Sequence, residues 1–236
     1  MNPSESAVRL QAAPGTRVLV HVPSGPVRLE GMLVLPPATR SIVLFAHGSG
    51  SSRLSPRNGF VAEVLHRHGI GSLLIDLLTR DEDGDFAARF DIELLTGRLL
   101  DATRWLRGEP RTAALALGYF GASTGAAAAL QAAARLGHRI GAVVSRGGRP
   151  DLADAQALAQ VVAPTLLIVG GDDRAVIDLN RQAYRRLDCV KEIRIVSGAS
   201  HLFEEAGTLE QAAQLAASWF QRYLDPPRAD GGPESR

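Results

Sequence analysis

The chain has little that would tie it to a disulfide, a metal cluster, a membrane or a nucleic acid. Its 236 residues contain one cysteine, Cys189, which excludes an intramolecular disulfide and any cysteine-rich metal site. Lying between a predicted helix and the last predicted strand, it reads as a buried structural thiol. No apolar run approaches the length of a bilayer-spanning helix, and the N-terminus lacks the basic-then-apolar pattern of a signal peptide. The formal net charge is only +1, and no run of like charges forms a basic or acidic arm, which argues against a nucleic-acid partner. No internal repeat is present. These absences lead us to expect a cytoplasmic protein with neither nucleic-acid nor membrane partners. What remains is ordinary globular usage, 45% hydrophobic and 22% charged, enough for a sizeable core.

Apolar runs near 41–46, 72–76, 113–120, 141–145, 165–169 and 192–196 alternate with helical stretches near 58–68, 91–107, 123–136, 151–159, 178–187 and 208–224. That alternation implies a parallel sheet covered on both faces. Ahead of it, residues 18–22 and 27–34 alternate apolar and polar around Pro23-Ser24-Gly25-Pro26, predicting a hairpin at the sheet edge. Residues 1–15 are expected to be loosely ordered, 16–224 to form a single domain, and the Pro/Gly-rich stretch 225–236 to be a disordered tail. The polar stretch from Thr79 to Asp85 is expected to be a mobile, solvated acidic loop. His66 and His68 fall at a helix end near Gly69, where the helix dipole favours a cation; His21 and His138 are likewise read as structural.

The most informative stretch is Gly121-Ala122-Ser123-Thr124-Gly125. An apolar run leads into it, and the strong helix former from Ala126 to Arg135 follows. Strand, Gly-x-Ser-x-Gly, helix is a nucleophile elbow, a sharp turn that holds a serine in a strained, exposed position. In a chain with 24 glycines the motif alone is weak; partners in the chain order serine, acid, histidine give it force. The apolar run 165–169 ends in Gly170-Gly171-Asp172-Asp173-Arg174, which puts a carboxylate on the rim of the sheet. Asp172 and Asp173 both qualify, against the alternative of a helix-capping aspartate. Of six histidines, His201 alone lies on a small-residue loop between a late strand and the final helix. The run 41–46 enters His47-Gly48-Ser49-Gly50, where an elbow-bearing fold places its second oxyanion donor. Acyl transfer needs two backbone N–H groups aimed at the developing oxyanion. We assign them to Thr124 and Ser49, with Gly50 the alternative to Ser49, and read His47 as fixing the loop.

On these residues the chain resembles the α/β-hydrolase fold over residues 16–224, and more narrowly its small, lidless dienelactone-hydrolase-like branch. The stretches Ala46-His47-Gly48-Ser49-Gly50-Ser51-Ser52-Arg53, Ser55-Pro56-Arg57-Asn58, Ser145-Arg146-Gly147-Gly148-Arg149-Pro150-Asp151 and Gly198-Ala199-Ser200-His201-Leu202-Phe203-Glu204-Glu205 resemble bacterial members of that branch. Some of those are fused to phosphoribosyltransferase domains, for which this chain is expected to have no room. The resemblance implies a mostly parallel central sheet of about eight strands with helices on both faces and no large lid domain. It favours Asp173, because the acid turn of α/β-hydrolases carries its carboxylate fourth, as in Gly170-x-x-Asp173-x-x-Val176. Dienelactone hydrolases proper use cysteine as nucleophile. Ser123 departs from them and points to general carboxylic-ester hydrolysis through a Ser123–His201–Asp173 triad and an acyl-enzyme, with no metal or organic cofactor.

The expected substrate is a small-molecule ester, short to medium in length because residues 147–163 leave room for only one short helix and no lid; lactones and anionic esters belong to the same class. Arg53, Arg146 and Arg149 fall on the predicted catalytic rim with Gly50, and arginine there clamps a carboxylate or phosphate. The alternative is that they pair with acids such as Asp151 or Asp154. Two other functions compete: an acyltransferase, thioesterase or lactonase on the same triad, and a non-catalytic binding protein on a hydrolase fold.

Overall fold

Every residue of the strand Ser41–Ala46 is buried, and the pleat divides it between two layers. Ile42, Leu44 and Ala46 join one core cluster and Val43 and Phe45 the other, as period-2 geometry requires of a strand covered on both faces. The computed structural model describes residues 13 and 15–224; the disordered tail expected over 225–236, and most of the loosely ordered stretch 1–15, lie outside the described residues. Among them eight strands form one sheet. In chain order they are β1 (Arg17–Ser24), β2 (Val27–Val34), β3 (Ser41–Ala46), β4 (Gly71–Ile75), β5 (Ala116–Ala122), β6 (Ala142–Arg146), β7 (Thr165–Gly170) and β8 (Lys191–Val196). Their order in space is β1-β2-β4-β3-β5-β6-β7-β8. The hairpin β1–β2 is antiparallel and joins antiparallel to β4, while β4, β3, β5, β6, β7 and β8 run parallel.

The helices are α1 (Pro56–Arg67), α2 (Arg80–Asp83), α3 (Phe86–Phe90), α4 (Ile92–Gly108), α5 (Thr124–Leu136), α6 (Ala155–Gln160), α7 (Arg174–Arg186) and α8 (Thr208–Leu224). Helices α1 and α8 cover one face, through Val61, Leu65, Trp219 and Phe220. Helices α4 to α7 cover the other, through Leu99, Leu130, Leu158 and Ala183. The run from Ala126 to Ala133 on α5 is buried all round, as expected of a helix lodged between a sheet and its neighbours. The carboxyl ends of the parallel strands thus share one rim, where open α/β sheets bind ligands. No helix among the described residues is long and apolar enough to cross a membrane.

Two expectations are corrected. The stretch Thr79–Asp85 is solvated, with no buried residue, but it is not a loop. Thr79 and Glu82 form a capping box that starts α2, and Glu82 pairs with the buried Arg98 at 2.6 Å. A capping box satisfies two orphan amides reciprocally, so even four residues hold helical form.

His66 is not a cation at a helix end either. Its Nε2 lies 2.8 Å from the Ser72 hydroxyl, and burial, with Arg17 nearby, pushes its pKa down from 6.5 to about 4. Desolvation here outweighs the dipole. Because the folded value is depressed, the unfolded chain takes up this proton first. The histidine's contribution is fully present above pH 6.5 and is lost as pH falls from 6.5 towards 4. Urea titrations at pH 7.5 and 4.5 are expected to show a smaller acid loss for His66→Gln than for wild type. Equal losses would contradict this assignment.

Candidate active site

Strand β5 ends at Ala122 and α5 begins at Thr124, leaving Ser123 alone on the turn with φ 50° and ψ −122°. A non-glycine residue there costs on the order of 1–3 kcal/mol and persists only where its surroundings enforce it. They do so here by close packing. A Cβ on Gly121 would lie 2.4 Å from the Ala126 Cα, and one on Gly125 would lie 2.2 Å from the Ala46 carbonyl oxygen. The β6 loop adds two hydrogen bonds: Ser123 N–H donates to the Arg146 carbonyl at 3.4 Å, and Arg149 N–H to the Ser123 carbonyl at 3.0 Å.

Asp173 occupies the N-cap position of α7, yet its side chain accepts no capping hydrogen bond. It accepts instead from His201 Nδ1 at 2.6 Å. An ionised carboxylate only accepts, so the Nδ1 proton is committed and Nε2 is left with a lone pair. The two residues meet because the histidine loop runs against Gly170, where a Cβ would stand 2.4 Å from the Ala199 carbonyl oxygen. Asp172 is exposed, and its N–H donates to that same carbonyl.

Ser123 and His201 open onto one cavity of about 210 Å³. Arg146 lines it with them. The residue is only 6% exposed; its guanidinium lies 5.6 Å from the Phe203 ring centroid and donates to the Asn58 side chain at 3.4 Å. Among the described residues its Nε has no partner and no carboxylate pairs with the guanidinium; burial, with Arg57 nearby, pushes its pKa down to about 10.

The other predicted substrate residues are placed elsewhere. Arg53 does not reach the cavity: its guanidinium pairs with Asp76 and, at 2.5 Å, with Glu30. Arg149 is held by Asp151 at 2.8 Å and is also off the cavity wall, so the pairing alternative describes both. Gly50 stands exposed at φ 67°, outside the cavity lining. Ser49 lines the cavity, but its amide, expected to stand free for an oxyanion, donates to Thr124 Oγ1 at 2.9 Å. His47 fixes the loop: its Nε2 accepts the Leu77 N–H at 2.9 Å, its Nδ1 lies 2.9 Å from the Gly48 carbonyl, and burial lowers its pKa. Cys189 is half-buried against the Thr165 hydroxyl, with its thiol pKa raised by burial.

Arg57 and Asn58, missed in the sequence, also line the cavity. The signal was there. Ser55 caps α1 and Pro56 takes its first turn, a start signature that directs the next two side chains onto the rim just behind the loop from His47 to Gly50.

An eight-stranded sheet that raises a serine on this turn, opposite a histidine oriented by an aspartate, has the architecture of an α/β-hydrolase. Comparison with known proteins narrows the class. No family model matches the chain. The crystal structure of a dienelactone hydrolase from Anabaena variabilis is similar at 55% identity and a TM-score of 0.86, over 89% of this chain and 98% of that one. Est1E from Butyrivibrio proteoclasticus shares the fold, with a TM-score of 0.74 at 13% identity over 86% of this chain and 98% of that one. Proteins from two strains of Mycobacterium tuberculosis, named as phosphoribosyl transferases, are 56% identical over 212 residues, 90% of this chain. The chain spans 48% of their length. It belongs to the dienelactone hydrolase family.

Proposed function

We propose that the chain is a serine hydrolase that cleaves short, anionic carboxylic esters through an acyl-enzyme. What supports this above all is that Ser123 and a His201 already bonded to Asp173 open onto one cavity. With Nδ1 committed to Asp173, Nε2 takes the Ser123 proton as Oγ attacks the ester carbonyl. The Thr124 N–H, at the first position of α5 and so without an intrahelical partner, donates to the carbonyl oxygen as it becomes negative. His201 then returns the proton to the departing alkoxide, and water cleaves the acyl-enzyme by the same steps. Asp173 keeps the ring in the working tautomer and stabilises the imidazolium.

Two features bear on the substrate. The cavity, at about 210 Å³, is smaller than the ~300–1,000 Å³ of drug-sized sites, which favours short acyl and alcohol groups. Arg146 leaves it positively charged. A buried unpaired charge costs several kcal/mol, and a carboxylate or phosphate on the substrate supplies the missing partner through paired hydrogen bonds. Arg57 adds a second cation, paired with Glu204 at 3.4 Å on the exposed side. Phosphoribosyl transfer, named for relatives about twice as long, is not the activity we assign, because the chemistry of this cavity is that of an elbow serine.

Matched esters test the reading: p-nitrophenyl acetate against the p-nitrophenyl monoester of succinate, whose acyl group carries a carboxylate. Wild type is expected to hydrolyse both and to prefer the succinyl ester by roughly 10–100-fold in kcat/KM, the worth of one charged hydrogen-bond pair. Arg146→Gln is expected to abolish that preference. Hydrolysis of neither ester would overturn the function, and a preference that survives in Arg146→Gln would overturn the role of the arginine.

A further inference from the structure

The Ser49 amide is already bonded, and its partner is the side chain of the residue that follows the nucleophile. Thr124 is 2% exposed, and its hydroxyl accepts the Ser49 N–H at 2.9 Å. The two segments are otherwise held by bare packing: a Cβ on Gly48 would stand 2.8 Å from the Ser123 Cβ, and Gly125 rests on the end of β3. The base of the loop is anchored through His47. Its tip, where Ser49 and Gly50 are both exposed, is closed on itself by the Ser51 N–H, which donates to the Gly48 carbonyl at 3.2 Å. Among the described residues the Thr124 hydroxyl is thus the polar contact that ties the Ser49 amide to the elbow segment.

We propose that Thr124 is a positioning residue for the second oxyanion donor. In the resting enzyme its hydroxyl holds the Ser49 N–H close to Thr124's own N–H. When the ester oxygen becomes negative, the Ser49 N–H passes from the neutral hydroxyl to the oxyanion. The exchange is favourable because hydrogen bonds to an ionised acceptor are roughly twice as strong as neutral ones. The new bond exists only in the transition state, so it acts on kcat and leaves substrate affinity alone. One residue thus supplies the first donor from its backbone and sets the second through its side chain. This rests on the reading of Ser123 as the nucleophile.

Valine matches threonine in shape and lacks the hydroxyl. In Thr124→Val the loop tip has no acceptor, and the Ser49 amide turns to water. Loss of one oxyanion donor costs ~10²–10³ in kcat, and a donor displaced without being deleted is expected to cost about 10–100-fold, with KM within about twofold and an unchanged melting temperature. Thr124→Ser, which keeps the oxygen, is expected to recover most of the rate. Amide hydrogen exchange gives a readout independent of turnover: Ser49 N–H is expected to be protected in wild type and Thr124→Ser and to exchange freely in Thr124→Val.

A wild-type rate in Thr124→Val would overturn the proposal. A rate above wild type would also overturn it, showing that the hydroxyl withholds the amide. Loss in Thr124→Ser as large as in Thr124→Val would show that any change at this packed site is damaging whether or not the hydroxyl is kept, and would equally overturn it. Failure of the underlying reading is seen separately, as a Ser123→Ala enzyme that retains the wild-type rate.

Discussion

Asp173→Asn is expected to lower ester hydrolysis by on the order of 10⁴-fold while leaving the fold intact. The carboxylate accepts the Nδ1 proton at 2.6 Å, which leaves the Nε2 lone pair to act in the cavity that Ser123 and His201 share. An amide in its place donates, moves the ring proton to Nε2, and removes the base where it is needed. The side chain is 15% exposed, so solvent does little to replace the lost charge. Its neighbour is the control: Asp172 is exposed, and Asp172→Asn is expected to stay within about threefold, as surface substitutions commonly do. The measurement is kcat/KM on one activated ester for both variants. The reverse pattern would transfer the role to Asp172.

Gly125→Ala is expected to damage both stability and activity by the addition of a single methyl group. The new Cβ would lie 2.2 Å from the Ala46 carbonyl oxygen and 2.5 Å from that of His47, both backbone atoms at the end of β3. No side chain stands in the way that could swing aside, so α5 must lift from the sheet. Thr124 and its amide move with it. Overpacking of this kind costs typically ~1–3 kcal/mol and more against rigid backbone, which here means a melting temperature several degrees lower. Gly97→Ala, in the interior of α4 with nothing within 4 Å of the added Cβ, is expected to gain ~0.5–1 kcal/mol from helix propensity alone. The same chemical change thus carries opposite signs at two sites. Equal melting temperatures for the two variants would contradict the packing account of the elbow.

What the sequence revealed and what it hid divide along the range of the interactions. The strand–elbow–helix unit is local: an apolar run, two glycines around a serine and an alanine-rich helix specify one turn, and its chain order with Asp173 and His201 marks the rim. The sheet with its edge hairpin was legible for the same reason, since period-2 alternation in residues 18–34 and buried runs thereafter are properties of short windows. The fates of Arg53 and Arg149 were not equally legible. Arg149 meets an acid two residues away, which the sequence offered as an alternative. Arg53 meets Glu30 and Asp76 only because β2 and β4 pair antiparallel with Gly31 opposite Ile75, a register that no short window contains. Arg146 and Arg53 look alike in sequence and differ entirely in partners. The hydrogen bond on the Ser49 amide was hidden for another reason: the hydroxyl that takes its N–H arrives from a segment 75 residues away.

The central claim, an activated serine at the elbow, is tested most directly by intact-protein mass spectrometry after incubation with a fluorophosphonate probe, on wild type and Ser123→Ala. The account predicts one adduct per wild-type chain and none on the variant, because only a serine held at the elbow beside an Asp173-oriented imidazole is nucleophilic enough to react. An unlabelled, folded wild type, or an adduct that persists in Ser123→Ala, would contradict it.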